Sequence, residues 1–277
     1  MQLRWKHRTL NLEAGALMGI LNVTPDSFSD GGQFKNLEAA MLQARNMTRD
    51  GANILDIGGE STRPGAETVS EDQELERVIP VIRALRLEGL DTLISIDTRK
   101  AVVARAALEA GADIVNDVTG LSDPAMRSVC AEFGVPAVIM HLRGKLENLK
   151  YSQESLAFEN VMLEVRDELE AAATLALKDG VPSVMLDPGF GFGKSLEQNL
   201  ELLRGIPELK TLGHPVLIGA SRKSTLGKIA SIENPEARDP ASIAAHLFAF
   251  SRGADVLRVH DVAGHVQALK VWKALNM

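Results

Sequence analysis

Cysteine and aromatic residues are scarce in this chain. Of its 277 residues, Cys130 is the single cysteine and 4% are aromatic. One cysteine excludes an intrachain disulfide, so we expect a protein of the cytoplasm. So few aromatic side chains argue against a surface that stacks on the bases of a nucleic acid.

Long hydrophobic runs and an excess of positive charge are also missing. No apolar run approaches the roughly 18 residues that span a bilayer, and the N-terminus lacks the pattern of a signal peptide, so we expect neither feature. The formal net charge is −7 at pH 7. This charge argues against a nucleic-acid-binding face, and an anionic ligand would need a local cluster of positive groups.

Short apolar runs rich in Val and Ile alternate with segments of helical period along the chain. The predicted strands cover 17–23, 53–58, 92–98, 113–118, 136–142, 183–187, 215–221 and 255–262. The predicted helices include 37–50, 71–87, 99–110, 156–178, 241–252 and 264–275. This alternation is typical of an α/β protein with a (β/α)8 TIM barrel.

An open doubly wound sheet is the alternative fold, but it fits five or six strands better than eight. No Pro/Gly/Ser-rich linker or shift in composition divides the chain, so we expect a single domain over residues 1–277. Residues 2–12 precede the first strand and are expected to form a short N-terminal hairpin that closes the bottom of the barrel.

Polar residues recur at one place in the predicted strands, their C-terminal ends. Barrel strands should be almost entirely apolar because both faces are covered, and the C-terminal face is where barrel enzymes hold their active sites. The polar residues are Asn22, Glu60, Asp97, Asn116, Asp117, His141, Asp187, Ser221, Arg222, Lys223, Arg258 and His260. We therefore predict an active site at this end.

Three of these residues, Asp97, Asn116 and Asp187, carry hydrogen-bond acceptors. Buried carboxylates need donors, and a planar heterocycle with several N–H groups, such as an aminopterin ring, would supply them. Pairing with local backbone or basic groups is the alternative. Phe192 lies in the Gly-Phe-Gly-Phe-Gly run at 189–193, where it could stack on a flat ligand or plug the barrel mouth.

Four other residues are positive or can become so: Arg63, Lys223, Arg258 and His260. Each alone would more often form a surface ion pair, but together at one rim they indicate an anion, since Arg suits bidentate phosphate or carboxylate contacts. The segments 22–32 and 58–65 are dense in Gly, Pro, Ser and Asp. This composition favours exposed loops that close over a site and exclude water.

Several classes of enzyme are disfavoured by missing motifs. The sequence has no His-x-His or His-Glu-x-x-His pair, no intact Rossmann or P-loop glycine motif, and no nucleophile elbow. Cys130 lies in a predicted helix and is expected to be buried and inert. The remaining histidines, at positions 7, 214, 246 and 265, have no evident partners and are expected to be structural or exposed.

The segments 22–32, 58–65, 95–98, 186–194, 221–224 and 258–262 jointly resemble the motifs of the dihydropteroate synthase family, in order and spacing, over nearly the whole chain. The resemblance implies a transferase of folate biosynthesis. Such an enzyme joins 6-hydroxymethyl-7,8-dihydropterin diphosphate to p-aminobenzoate and releases 7,8-dihydropteroate and pyrophosphate. It further implies Mg²⁺ as cofactor, a homodimer, and competition by sulfonamides for the p-aminobenzoate site.

The resemblance also implies residue roles. The pterin ring would contact Asp97, Asn116, Met140, Asp187, Phe192, Gly219 and Lys223. The diphosphate would contact Asn22, Arg63, Arg258 and His260, with Asn22 as a Mg²⁺ ligand, and p-aminobenzoate would contact Phe28, Thr62, Arg63, Pro64 and Ser221. The catalytic residues would be Asp97, Asp187, Lys223 and Asp30, the last reaching the reacting centre when its loop closes.

Two other functions remain open at this point. A non-catalytic pterin-binding paralogue has no need of the diphosphate contacts. A methyltetrahydrofolate methyltransferase has no evident need of the 61–64 and 221–224 segments, and it requires a corrinoid partner. One stretch departs from the family: residues 239–242 read Asp-Pro-Ala-Ser, where the family carries Gly followed by Ser or Thr. We expect this change to bear on dimer packing and not on the pocket.

Overall fold

The computed structural model describes residues 1–5, 8–24, 32–61, 68–144 and 158–276. The chain opens with an antiparallel hairpin of two strands, β1 (Gln2–Trp5) and β2 (Arg8–Asn11). Leu3 and Trp5 are buried and belong to the main hydrophobic core. The predicted hairpin is therefore confirmed, and its apolar side chains attach it to the core.

Eight parallel strands follow and form one sheet. They are β3 (Ala16–Asn22), β4 (Ile54–Gly58), β5 (Leu93–Asp97), β6 (Ile114–Asp117), β7 (Ala137–Met140), β8 (Val184–Asp187), β9 (Leu217–Ile218) and β10 (Val256–Val259). The strand order is β8-β7-β6-β5-β4-β3-β10-β9. A parallel bridge between Leu186 and Val216 joins the two outer strands. The sheet is thus a nearly closed barrel, which confirms the TIM barrel and excludes the open sheet.

Helices connect the strands and cover the outside of the barrel. They are α1 (Gly32–Asp50), α2 (Glu71–Leu87), α3 (Ala101–Glu109), α4 (Pro124–Phe133), α5 (Val161–Lys178), α6 (Leu196–Arg204), α7 (Ile206–Lys210), α8 (Ser224–Ala230), α9 (Asp239–Ser251) and α10 (Val262–Asn276). A short 3₁₀ turn, Pro235–Arg238, precedes α9. Among the described residues, no helix has the length and apolar character needed to cross a membrane.

Cys130 lies on α4 and is fully buried, as predicted. Burial raises the pKa of its thiol to about 12, so the reactive thiolate is scarce at neutral pH. The cysteine therefore acts as a small apolar core residue.

Strand β9 is shorter than predicted, with two residues in place of the run 215–221. The backbone N–H of Val216 donates to the side chain of Asp255 at 2.8 Å and not to the backbone of a neighbouring strand. Beyond Ile218 the chain leaves the sheet, and a hydrogen bond from Lys223 N to Ala220 O (3.3 Å) closes a turn. Periodicity cannot foresee this because the apolar run continues into the turn.

Helix α5 begins at Val161, whereas the periodicity predicts a helix from 156. Residues 156 and 157 lie outside the described residues, and Asn160 is the N-cap, its side chain accepting from Leu163 N at 3.0 Å. An Asn cap satisfies a backbone donor that the helix itself leaves unpaired. The cap, and not the apolar pattern, sets where this helix starts.

We expect Asn160→Ala to lower the free energy of unfolding by about 1 kcal/mol, because it removes this cap. Urea unfolding followed by circular dichroism measures the change. Glu170→Ala, on the exposed side of the same helix, is the control and should change stability by less than about 0.5 kcal/mol. Equal effects of the two substitutions would contradict the assigned cap.

Candidate active site

The strand register brings the predicted acceptor residues together at the C-terminal end of the barrel. Asp97 lies opposite Asn116 in the pairing of β5 with β6, and Asp187 lies opposite Met140 in the pairing of β7 with β8. Asn116, Met140 and Asp187 are buried. The structure therefore places the predicted pterin-binding strand ends side by side at one end of the sheet.

Arg258 on β10 lies between two carboxylates inside the barrel. Its Nε donates to Asp56 Oδ2 at 2.6 Å, and its Nη2 donates to Asp97 Oδ2 at 2.5 Å. Asn116 Nδ2 donates to the same Asp56 oxygen at 3.0 Å. The two carboxylates raise the pKa of Arg258 despite its burial, so it carries a fixed positive charge. The sequence placed Arg258 with the anion-binding residues, and the structure shows that it also connects Asp97, through Asp56, to Asn116.

Asp56 is a functional candidate that the sequence analysis missed. Its side chain is fully buried on β4, two residues before the C-terminal end of that strand at Gly58. A signal was present, since Asp56 interrupts an apolar run, Ile-Leu-Asp-Ile, in a barrel strand. Its second oxygen, Oδ1, has no hydrogen-bond partner among the described residues, and a buried acceptor of this kind requires a donor.

Burial shifts the pKa of both predicted catalytic carboxyls upward. For Asp97, desolvation raises the pKa to about 7, and the ion pair with Arg258 offsets part of the rise. For Asp187, desolvation again raises the pKa, and the charge of Lys223 opposes it. Asp187 Oδ1 accepts from Gly189 N at 2.7 Å. Carboxyls perturbed by burial at the mouth of a barrel are characteristic of a functional site.

Lys223 follows the turn after β9 and reaches the glycine-rich loop, defined here as residues 189–193. Its Nζ donates to the carbonyl oxygen of Phe190 and lies 4.3 Å from the ring centroid of Phe192. Burial lowers the pKa of Lys223 to about 8, and Asp187 opposes this shift. Gly191 has a φ of +82°, and a Cβ there would collide with the Lys223 side chain. Glycine is therefore required for this close approach.

A second lysine, Lys194, donates hydrogen bonds to the backbone of the same loop. The sequence analysis did not predict this role. Its Nζ donates to Gly189 O at 3.1 Å and to Phe192 O at 3.2 Å, and it contacts His141 Nδ1 at 3.1 Å. Burial lowers the pKa of Lys194 to about 7. The other ring nitrogen of His141 contacts Glu168 at 3.0 Å. The polar end of β7 therefore supports the loop through Lys194.

Ser221 and His260, predicted at the rim, contact each other. Ser221 Oγ lies 2.9 Å from His260 Nδ1 and accepts from the His260 backbone N–H at 3.2 Å. Gly219 lies just below them, and a Cβ there would be 3.8 Å from Asp187 Oδ2 and 3.9 Å from Arg258 Cβ. The rim is therefore joined to the acceptor residues through the end of β9.

The remaining predicted site residues divide into two groups. Asn22 is half-buried at the end of β3, opposite Gly58 in the pairing with β4. The others lie outside the described residues; they are Phe28, Asp30, Thr62, Arg63 and Pro64. Glu60, at the base of the second segment, accepts from Val69 N at 3.2 Å and pairs with Lys100 at 2.9 Å. Burial raises the pKa of Glu60, but hydrogen bonds from Arg99, Lys100 and Val69 lower it, and the net shift is downward.

The arrangement combines acceptors for a ligand that carries N–H groups with fixed positive charge beside them. The acceptor side is formed by Asp97, Asn116 and Asp187, and the rim side by Ser221, Lys223 and His260. Arg258 lies between the two. Such a site can bind a flat polar ring and stabilise positive charge on it, while the rim binds an anionic group.

The sequence profile of the pterin binding enzyme family matches residues 18–260. Dihydropteroate synthase of Synechocystis is 50% identical over 94% of this chain and 89% of its own length. That of Xanthomonas albilineans, solved with 4-aminobenzoic acid, is 45% identical, with a TM-score of 0.92 over 99% of this chain and 98% of its own. The same protein solved with 7,8-dihydropteroate has a TM-score of 0.89, with 42% identity over 100% of this chain and 99% of its own.

The chain therefore belongs to the pterin binding enzyme family. Its curated relatives place it, within that family, among the dihydropteroate synthases.

We expect Asp56→Ala to lower the free energy of unfolding by about 3 kcal/mol, because it removes one partner of a buried, hydrogen-bonded ion pair. Guanidinium unfolding measures the change. Glu132→Ala is the matched control, since it breaks the Arg105–Glu132 pair, whose side chains are 41% and 56% exposed. That variant should lose at most about 1 kcal/mol. An Asp56 variant as stable as the wild type would contradict the structural role of the network.

Proposed function

We propose that this protein is a dihydropteroate synthase that joins 6-hydroxymethyl-7,8-dihydropterin diphosphate to p-aminobenzoate. The observation that carries the proposal is the network in which Arg258 bridges Asp56 and Asp97, with Asn116 attached. Its acceptors suit the amino and ring N–H groups of a pterin. Asp56 Oδ1, buried without a partner among the described residues, is one acceptor that a ring donor or a bound water would satisfy.

The ring is proposed to lie against Asp97, Asn116 and Asp187, with Met140 and Gly219 lining the pocket. Phe192, whose ring contacts Lys223, is proposed to cover one face of a flat ligand. The diphosphate is proposed to extend toward the rim, where Lys223, Arg258 and His260 supply positive charge and hydrogen-bond donors. Arg63 joins this set on the family resemblance alone.

Asn22 fits the role of a Mg²⁺ ligand in a limited sense. Among the described residues, no group of three or more His, Cys, Asp or Glu side chains could hold a metal ion. Mg²⁺ commonly takes one or two protein oxygens and completes its shell with water and substrate phosphates, and Asn22 at the end of β3 offers one such oxygen. When bound there, the ion would neutralise charge on the departing pyrophosphate.

The chemistry requires no covalent attachment to the protein. The bond between the pterin methylene carbon and the diphosphate oxygen breaks, and its electron pair leaves with pyrophosphate. Asp97 and Asp187 stabilise the delocalised pterin cation in a site of low dielectric constant. The amine nitrogen of p-aminobenzoate then forms the new C–N bond with its lone pair and loses one proton to the solvent. Lys223 keeps a positive charge beside the leaving group.

The p-aminobenzoate site is proposed to lie at the rim beside Ser221, completed by Phe28, Thr62, Arg63 and Pro64. Asp30 is proposed to reach the reacting centre when its loop closes, since exclusion of water protects a cation from hydrolysis. We further propose a cytoplasmic homodimer in which sulfonamides compete for the p-aminobenzoate site. Equilibrium sedimentation at micromolar concentration tests the dimer.

The proposed function is tested by pyrophosphate release from dihydropterin diphosphate, with Mg²⁺, in the presence and absence of p-aminobenzoate. Release that depends on p-aminobenzoate, with one dihydropteroate formed per pyrophosphate, is the expected result. Tight pterin binding without release would instead favour the non-catalytic paralogue. Methyl transfer from methyltetrahydrofolate to a corrinoid acceptor would favour the methyltransferase.

Lys223→Ala should reduce kcat/KM by about 10²- to 10³-fold, because it removes a charged donor from the reacting centre. The fold should persist, as judged by circular dichroism and the unfolding midpoint. Lys228→Ala, on the exposed face of α8, is the control and should retain wild-type kinetics. Near-normal turnover of the Lys223 variant would overturn its assignment to the site.

The pH dependence of kcat/KM should be bell-shaped, since it reports ionisations of the free enzyme. Activity should rise as Asp97, with its pKa raised to about 7, becomes a carboxylate. It should fall as Lys223, with its pKa lowered to about 8, loses its proton. Lys223→Arg should move the alkaline limb to higher pH because the Arg guanidinium stays protonated. An alkaline limb that stays in place in this variant would contradict its assignment to Lys223.

A further inference from the structure

Two histidines that the proposed reaction does not use form a buried pair behind the rim. His246 on α9 and His265 on α10 are 0% and 2% exposed. His246 Nδ1 lies 2.8 Å from His265 Nε2. The sequence analysis saw no partner for either residue, and each proves to be the other's partner.

The hydrogen bonds around the pair fix where its protons lie. The backbone N–H of Ala220 donates to His246 Nε2 at 3.1 Å, so this nitrogen must present its lone pair. A neutral His246 then carries its proton on Nδ1 and donates to His265 Nε2. A neutral His265 likewise carries its proton on Nδ1, which lies 2.6 Å from the carbonyl oxygen of Asp261. The chain of donors therefore runs in one direction, from β9 to α10.

The surroundings of both rings disfavour a second proton. Burial lowers the pKa of His246 well below its usual value, and the neighbouring His265, Lys223 and His260 add to the shift, while the Ile218 backbone opposes it. Burial also lowers the pKa of His265, against the backbone of Asp261 and Ser242 and the carboxylates of Asp261 and Asp239. A second proton on His246 would lie on Nε2 and face the backbone N–H of Ala220, which already donates to that nitrogen.

The pair connects the two turns that carry the rim. Ala220 directly precedes Ser221, and Asp261 directly follows His260. Ser221 and His260 already contact each other at the rim. The histidine pair is thus a second link between the same two segments, placed one layer deeper.

Helix α9 holds the turn 220–223 at further points. Arg222 has a φ of +59°, a left-handed conformation that is uncommon for a residue other than glycine. Its backbone N–H donates to Ser242 Oγ at 2.9 Å, and its guanidinium makes two bonds of 2.7 Å to Asp239. The segment 239–242, which departs from the family pattern, therefore contacts the turn that precedes Lys223.

We propose that His246 and His265 are positioning residues that hold Ser221 and His260 in the arrangement required for p-aminobenzoate and diphosphate binding. The proposal rests on the synthase activity proposed above. Because the pair acts through the two turns, its loss should weaken substrate binding more than it slows the chemical step. The deeper link should also persist without substrate, since all of its donors and acceptors belong to the protein.

The test compares His246→Leu, which leaves Ala220 N–H without an acceptor, with His246→Gln, whose side-chain oxygen can replace the acceptor. His246→Leu should raise the KM for p-aminobenzoate about tenfold, with a smaller change in kcat, because small displacements of binding groups are costly. His246→Gln should recover most of that loss. His214→Leu, which precedes β9 at the N-terminal end of the barrel, is the control and should leave both constants unchanged.

Nitrogen-15 NMR of the folded wild type supplies a readout independent of turnover. Both rings should be neutral with the proton on Nδ1, the less common tautomer of free histidine. Protonated rings or Nε2–H tautomers would overturn the proposal, as would a His246→Leu variant with wild-type KM values. So would a loss of activity that Gln does not restore. A wild-type protein that releases no pyrophosphate would instead overturn the synthase activity, and the positioning role with it.

Discussion

The ion pair network of Arg258 with Asp56 and Asp97 is the constraint on which the rest of this site depends. A barrel interior disfavours charge, and removing an ion from water costs several kcal/mol even in real proteins. Arg258 can stay inside because it donates to two carboxylates, one of which also accepts from Asn116. The same network fixes the orientation of Asp97 and Asn116, and Gly219 lies next to Asp187 and Arg258. The acceptor side is therefore organised before any ligand arrives.

The glycine-rich loop meets a second structural requirement. Phe192 and Lys223 must stay at the mouth of the barrel, although neither lies within a helix or a strand. Gly189, Gly191 and Gly193 all have positive φ values, so the loop carbonyls turn inward. Lys194 binds the carbonyls of Gly189 and Phe192, and Lys223 binds that of Phe190. Two lysines thus supply the donors that a strand would otherwise provide. Burial lowers the pKa of both lysines. The hydrogen bonds that hold the loop therefore depend on pH.

The sequence predicts the barrel and the strand ends well because both follow from simple rules. Apolar alternation places the strands, and the C-terminal ends of parallel strands meet at one face. Asp97, Asn116 and Asp187 are therefore found from position alone. Asp56 and Lys194 are not, because one lies within a strand and the other after a loop, where a charged residue is normally exposed. Their importance comes from contacts with Arg258 and Gly189 that only the folded chain creates.

The histidines at positions 246 and 265 show the same limit. Nineteen residues separate them, and no spacing rule joins residues on successive helices of a barrel. The short β9 is a related case, because the side chain of Asp255 takes a backbone donor that the strand pattern assigns to the sheet. The local sequence determines the helices and strands. Tertiary packing determines which side chains replace backbone groups as hydrogen-bond partners.

We propose a division of the site in which the acceptor side binds the pterin ring and the rim binds the anion. Calorimetric titration with 6-hydroxymethyl-7,8-dihydropterin, which lacks the diphosphate, tests it most directly. Asp187→Asn should weaken binding by about tenfold or more, since a charged acceptor is lost, whereas Ser221→Ala at the rim should bind as the wild type does. Equal losses in both variants, or none in Asp187→Asn, would contradict the division of the site.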